Sequence, residues 1–496
     1  MDSSDTTGSG SRGITRRQFV VGAGLAAVGT AIAACAPAAS TPASVAPAAT
    51  PAASTGPIAS AAASTAASAA ADLSGQEGVL WGLKYDPHVA AYQRMVDAFN
   101  AKTGAKLTVQ PIDPGAAGPP GTLAQQFLAA VAAGNQPDVM CIYGAAAVPL
   151  YVQKALMPLK QSVYAANGVA DSAFVGDSLP PWIWQGEYYG VPVECNGVGS
   201  MVNVPVDDVK NLGLSAQYPP SNGKTFFDSY DALYELAGKL QKKNGSTVTR
   251  WGLSSKAFEL ESLAGIMASL GTKWWDGDNK VFNFDSPDGV TAFELLVEKP
   301  VKLGIETELD QSATQAALAG KVALSRGDGG PSVVGAAAGF NFELAGAPRV
   351  KPGEDPVLIG GGGWGFMAPR NAKNPALSIA FLQFVASDEG QMAYAKIYDG
   401  LLNFAWAKLA DDKTRFKDAT AANAIFRAAP AFTAMALRTK FFGEGYGYYA
   451  EAEKAAGAVC SEVRQGNLTA ATGAPELQKR LEAQYAQFVK DVEAAG

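Results

Sequence analysis

The alternation of strand-like and helix-like stretches between Gly78 and Tyr143 restricts the fold more than any other feature of this chain. Gly78 to Gly82 is a short apolar run of strand length. His88 to Lys102 then carries Val89, Tyr92, Met95, Val96 and Phe99 at helical spacing. Ala105 to Ile112 reads as a strand, Thr122 to Ala133 as a helix, and Asp138 to Tyr143 as a strand. Gly134-Asn135-Gln136-Pro137 stops the second helix. Strand, helix, strand, helix, strand is the pattern of a parallel sheet covered by helices, so the spacing predicts an α/β fold. Further helices are predicted at Tyr230 to Lys243, Glu259 to Leu270, Asp288 to Lys302, Ser312 to Ala319, Pro375 to Ser387, and Pro475 to about Glu493. A length of 496 residues leaves room for two or three domains, and 48% hydrophobic residues can fill their cores.

The first residues read as an address. Arg16-Arg17 precedes an apolar stretch from Phe19 to Ala34, which ends in Ile32-Ala33-Ala34-Cys35. That stretch is short for a membrane-spanning helix, which needs ~20 residues, but it suits a signal h-region. Small residues before a cysteine resemble the lipobox of bacterial lipoproteins, where the thiol carries the lipid. Residues 1–34 are therefore expected to be a twin-arginine lipoprotein signal peptide with Cys35 as the lipid attachment site. From Ala36 to Ala71 the chain is Ala, Ser, Thr and Pro except for Val45, Gly56 and Ile58, and it bears no charge. It has no large side chains to bury against the entropy of ordering, so residues 35–71 are expected to form a disordered tether. Fully extended, that tether reaches ~120 Å. The expected location is outside the cytoplasm, lipid-anchored at the outer face of the cytoplasmic membrane or in the periplasm.

Composition removes several functions. A formal charge of −7 with no basic block argues against nucleic-acid binding, which depends on clustered Lys and Arg. His88 is the single histidine, so a two-His zinc site cannot be built and no HExxH occurs. No metal and no cofactor are expected. Once Cys35 is set aside, Cys141, Cys195 and Cys460 cannot all pair with one another, and buried free thiols are the expected state.

Several ordered blocks resemble a known family. The run from Leu123 to Val139 is a helix, a small-residue turn and Pro137-Asp138-Val139. Tyr189 to Pro192 is followed by Gly199 to Asn203, and Ala316 to Leu324 by Gly327-Asp328-Gly329-Gly330. Gly360 to Trp364 precedes Lys373 to Ala376 and Phe384 to Gln391. In this order and spacing the blocks are similar to those of the extracellular solute-binding proteins of bacterial ABC importers, in the branch that includes maltose-binding proteins. The likeness covers about residues 77–496. It implies a two-lobed periplasmic-binding-protein-like fold, each lobe a mixed, mostly parallel sheet flanked by helices, with a ligand cleft at the hinge. On that analogy 72–192 with 347–400 form lobe 1, and 193–346 with 401–496 form lobe 2, the chain crossing near Pro192, before Leu358 and again near Leu401. It also implies a non-enzymatic, monomeric receptor that captures a sugar or oligosaccharide and hands it to the transmembrane subunits of a permease. Gly329-Gly330 departs from the family habit of placing an aromatic soon after the glycine.

A sugar site needs aromatic platforms for C–H faces and polar groups for hydroxyl rims, gathered at the carboxyl ends of parallel strands. Trp81, Tyr85 and Asp86 follow the first strand, and Tyr143 closes the third. Glu194 and Asn196 follow Pro192, Trp274 and Trp275 lie on a predicted loop, Asp328 follows Arg326, and Gly362, Gly363 and Trp364 belong to the glycine run. These twelve residues are the candidate ligand site, although each aromatic could equally serve packing. Trp364 and Trp274 have no neighbouring apolar stripe, whereas Trp275 suits the buried member of its pair. The glycine run formally satisfies GxGxxG, but Phe366-Met367-Ala368-Pro369 reads as strand and breaker, not as the helix that would hold a pyrophosphate. His88, after Pro87 at a helix start, reads as a solvated or capping residue. Two alternatives remain at this level. A secreted glycosidase would use paired carboxylates, and the same fold could take a polyamine or another small solute, since aromatics with acids also cage cations.

Overall fold

The computed structural model describes residues 73–113, 119–195, 199, 201–335, 339–395, 404–410, 431, 433–443 and 447–495. Cys35, the tether, Asn196 and Leu401 lie outside them.

The first sheet begins with β1 (Glu77–Leu83), α1 (Asp86–Thr103), β2 (Lys106–Ile112), α2 (Pro119–Ala132) and β3 (Val139–Tyr143). Every residue of β3 is buried, as a central strand covered on both faces requires. Helix α1 starts with Pro87 in its first turn and ends at Gly104 in the left-handed region, φ 72°. Its buried face is His88, Ala91, Tyr92, Met95, Val96 and Phe99, one stripe at three- and four-residue spacing. Asp138 ties this half together: Oδ2 accepts from Val79 N–H at 2.9 Å and Oδ1 from Asn374 N–H at 3.1 Å. The Pro-Asp step thus fixes the first strand and, far along the chain, the start of a docking helix.

The hairpin β4 (Ile183–Trp184) and β5 (Glu187–Tyr188) leads to β6 (Val191–Pro192), after which the chain moves to a second sheet. That sheet is made of β7 (Met201–Pro205), β8 (Lys242–Asn244), β9 (Thr247–Ser254), β12 (Val322–Gly327) and β13 (Phe342–Gly346). Helix α3 (Tyr230–Leu240) precedes β8, α4 (Glu259–Leu270) follows β9, and a short hairpin of β10 (Trp275–Asp276) and β11 (Val281–Phe282) comes next. The chain returns through β14 (Leu358–Gly360) to β15 (Trp364–Met367), then α5 (Pro375–Val385) and α6 (Asp388–Ala395). β16 (Thr439–Phe441) pairs in parallel with β14, and α7 (Tyr449–Arg464) and α8 (Ala470–Ala495) end the fold.

The strand orders are β2-β1-β3-β15-β6 and β13-β7-β12-β9-β8. In the first sheet only β15 runs against its neighbours, and in the second β7 and β8 do. Both sheets belong to one compact unit, Ala66–Gly496. Their joint is the two-stranded β14–β16 ribbon and the glycine run after it.

Three helix expectations need correcting. Lys242–Asn244 is not the end of α3 but a strand that turns back at Gly245 (φ 62°) into β9. The predicted helix over 288–302 shifts register, with a π-turn at Glu294–Glu298 just before Pro300, whose missing N–H cannot continue the regular ladder. Helix α8 starts at Ala470 and carries Pro475 inside it. Buried Ala470, Gly473 and Ala474 hold that extra turn, with Gly473 placed against Val463 and Val459. Cys141, Cys195 and Cys460 are buried and unpaired.

Candidate ligand cleft at the joint of the two halves

The glycine run fits because nothing larger would. Gly362 and Gly363 have φ of 89° and 90°, and a Cβ on Gly363 would lie 2.3 Å from the Glu194 carbonyl oxygen. The same backbone closes onto the first sheet, with Gly144 N–H donating to Gly363 O at 2.8 Å and Ala145 N–H to Gly361 O at 2.9 Å. This close approach delivers Trp364 to the carboxyl end of β3. Its buried ring meets His88 edge-on at 4.9 Å and Tyr143 at 6.0 Å between centroids.

Two buried carboxylates flank these rings. Glu194, fully buried, accepts from Tyr394 Oη at 2.6 Å and lies 3.1 Å from His88 Nε2. Glu261, on the first turn of α4, gathers every part of the joint. Its Oε1 accepts from Tyr143 Oη at 3.1 Å, Tyr449 Oη at 3.0 Å and Gly361 N–H at 3.2 Å, and its Oε2 from Gly199 N–H at 3.3 Å. Burial raises its pKa to about 7 against the pull of those donors, because an ionised carboxylate out of water loses more than the bonds return. Glu453 of α7 accepts from Glu261 N–H at 3.3 Å, and its own pKa is raised well above the usual range by burial, then by Glu261 and Glu259. Arg464 of α7 answers that excess, 3.2 Å from both Glu259 and Glu306. Phe258, just before α4, sits at φ 51°, an unusual conformation for a bulky side chain.

Tyr85 joins from the loop after β1, its ring 5.5 Å from that of His88. Its hydroxyl is pushed up to about 12 by burial and then by Asp328, Glu194 and Asp86. Asp328 follows β12 in the second sheet. Its Oδ1 accepts from Gly330 N–H at 2.7 Å and Thr314 Oγ1 at 2.9 Å, and burial raises its pKa.

The structure therefore brings together Tyr85, Tyr143, Glu194, Gly362, Gly363 and Trp364, whereas Asp86 is exposed at the start of α1 and Asp328 is bonded to Gly330 and Thr314 on the second sheet's side. Trp81 turns elsewhere, its Nε1–H donating to Gln110 at 3.0 Å on the exposed side of β2. Trp274 is buried against Phe442 (4.8 Å between centroids), Phe282 and Phe284. Trp275 packs tilted against Tyr485 and lines a pocket of about 610 Å³ with Trp184, Phe442 and Phe488, away from Trp364. The residues that sequence reasoning missed are Glu261, Tyr449, Tyr394 and His88. The last is neither solvated nor a cap but buried against Glu194. Glu261 lay within a helix correctly expected from its period, yet nothing in that period marks which carboxylate turns inward. Among the described residues no cluster of His, Cys, Asp and Glu could hold a metal ion, and no helix is long and apolar enough to cross a membrane.

Two α/β halves meet at a joint lined with polar and aromatic side chains. The sequence model of the bacterial extracellular solute-binding proteins matches residues 85–392, and the chain belongs to that family. A search of curated proteins gives no match. Among solved structures, the maltose/maltodextrin-binding domain MalE from Bdellovibrio bacteriovorus, bound to maltotriose, superposes with a TM-score of 0.62 at 15% identity, covering 83% of this chain and 100% of that one. UgpB from Mycobacterium tuberculosis, in complex with glycerophosphocholine, gives 0.64 at 16% identity over 84% and 100%. The GacH receptor of Streptomyces glaucescens, solved unliganded and with acarbose, gives 0.62 at 17% identity over 84% and 99%. At such identities the likeness is one of fold, the two-lobed binding-protein fold.

Proposed function

We propose that this chain is the extracytoplasmic receptor of an ABC importer, which captures a sugar or oligosaccharide between its lobes and delivers it unchanged to the permease. The observation that carries the reading is the meeting of both halves on one buried acid: Tyr143 from the first sheet, Gly361 from the crossing and Tyr449 from α7 all donate to Glu261. A solute seated on Trp364 and Tyr143 from one half and on Tyr449 from the other touches both halves at once, which is the condition for closure to depend on binding. The maltotriose of MalE and the acarbose of GacH, bound by proteins of the same fold, support a carbohydrate cargo. In this reading the lobes are 72–192 with 347–400 and 193–346 with 401–496. The signal of residues 1–34, the lipid on Cys35 and the tether of 35–71 hold a monomeric receptor at the outer membrane face. Site residues are Tyr85, Tyr143, Glu194, Asn196 and Trp364, with Glu261 and Tyr449 added; no catalytic role belongs to any of them.

The test is a thermal-shift screen against mono- and oligosaccharides, in which a ligand at 100 times its Kd stabilises the protein by ~2.7 kcal/mol. The same mixtures are then assayed for new reducing ends. Stabilisation without new ends is expected; turnover would make the protein a glycosidase.

A further inference from the structure

The pocket of about 610 Å³ lies one ring away from the cleft and shares no residue with it. Tyr449, whose hydroxyl serves Glu261, has its ring 6.4 Å from that of Phe442, and Phe442 lines the pocket. Two hairpins and the last helix supply the remaining walls. Trp184, on the β4–β5 hairpin, is half-buried and stacks on Tyr151 at 5.7 Å with 20° between the planes. Tyr151 is itself fixed, its hydroxyl donating to Pro181 O at 2.7 Å. From α8, Phe488 meets the Trp184 ring edge-on at 6.2 Å, and Tyr485 packs 4.8 Å from Trp275 of β10. Rings backed in this way hold their faces in place before a ligand arrives, which lowers the ordering cost of binding. The volume falls within the range of small-molecule sites, ~300–1,000 Å³.

The polar side of the pocket is an independent observation. Gln185, at the turn of the β4–β5 hairpin, and Lys280, just before β11, have φ of 51° and 57°, a region that favours glycine. Two of the four described non-glycine residues in that region therefore line this one pocket, each with a long polar side chain where a glycine would be less strained. Glu493 of α8 is the third polar group on the lining. Among the described residues none of the three has a hydrogen bond or an ion pair, so their capacity is free. The amide donates and accepts, the ammonium donates and the carboxylate accepts. Charges of opposite sign favour neither a cation nor an anion, and a wholly apolar ligand would desolvate three polar groups without pairing them. A ring with an apolar face and hydroxyls along its edge matches both the platforms and the polar groups.

We propose that this pocket is a second sugar site, in which a pyranose ring lies against Trp184 while its hydroxyls bond to Gln185, Lys280 and Glu493. The proposal does not depend on the cleft being the solute site.

Hydrogen-exchange mass spectrometry on the full chain, titrated with maltotriose and with cellotriose, reads both places at once. Peptides over 183–188, 275–282 and 485–493 report the pocket, and peptides over 141–145 and 259–264 report the cleft. Protection of the pocket peptides by a trisaccharide is expected. Sorbitol, which has hydroxyls but no ring face, and phenylalanine, an aromatic zwitterion, should give none. In the double variant Gln185→Gly with Lys280→Gly, the apparent Kd read from the pocket peptides should rise about ten-fold or more, as two bonding side chains are lost. Its melting temperature should stay near that of the parent, because glycine takes both conformations freely. Pocket protection that persists unchanged in the double variant overturns the site, being the echo of movement elsewhere. Protection of the cleft peptides alone overturns the second site and leaves the receptor reading intact, whereas protection of the pocket alone supports the site and counts against the cleft. Sorbitol acting as strongly as the trisaccharides overturns the stacked ring, and phenylalanine acting where neither trisaccharide does overturns the sugar. No protection with any probe overturns the proposal altogether.

Discussion

Glu261 accepts hydrogen bonds from four donors, and burial still keeps its pKa near 7. An unfolded glutamate titrates near ~4.3. Below that value both states are protonated and the contribution of this group to stability is fully present. As pH rises from about 4 to 7 the unfolded chain ionises first, so stability falls, and it levels off once the folded form ionises too. Glu453 is shifted in the same direction and adds to the slope. Thermal unfolding followed from about pH 5 to 7 should show a falling midpoint in the parent and a flatter profile in Glu261→Gln; parallel profiles would remove Glu261 from this effect. Tyr85 gives the matching test on binding. It is half-buried at the rim, so Tyr85→Ala should weaken ligand binding by more than ~1 kcal/mol with little change in melting. An unchanged calorimetric affinity would take Tyr85 out of the site. At this scale the sequence was only partly legible. Glu194 stood out because it follows Val191-Pro192 at a strand end. Its partner His88 lies 106 positions earlier, and a pairing set by the packing of distant segments leaves no local trace.

Elements were more legible than side chains, for a physical reason: a helix that buries one stripe writes that stripe into its sequence, as Ala91, Tyr92, Met95, Val96 and Phe99 do in α1. Where packing overrode the local signal, the reading failed. Pro475 reads as a helix start, yet the close seat of Gly473 on Val463 pulls the preceding turn into α8. The glycine run shows the opposite case, in which composition says where the chain must be thin but not what it is thin against. Gly363→Ala puts a methyl 2.3 Å from the Glu194 carbonyl at φ 90° and should cost about 1–3 kcal/mol, with ligand affinity falling as Trp364 shifts. Gly353→Ala is the control, because its φ of 78° carries the same conformational penalty with no atom within 4 Å of the new methyl. Urea denaturation of the two variants separates steric from conformational cost; equal losses would mean that the crossing is not tightly held.

At the scale of the molecule, two sheets joined by β14, β16 and a glycine run can shut only if some contact pays differently in the open and closed arrangements. Glu261 already links the halves without a solute, through Tyr143 and Gly361, so part of the closing interaction belongs to the protein itself. A ligand shifts the balance only by the difference between its affinities for the two arrangements, and about 5.5 kcal/mol of difference carries a population from 1:99 to 99:1. Above about pH 7, where Glu261 is ionised, Glu261→Gln should weaken the built-in link, since a neutral amide accepts less strongly from two phenols and a backbone N–H than a carboxylate does. Small-angle scattering should then show a smaller radius of gyration on ligand addition for the parent. For Glu261→Gln the unliganded radius should be larger and more ligand should be needed to reach the same compact limit. Identical unliganded profiles, with the same ligand dependence, would mean that Glu261 anchors the static joint and takes no part in its movement.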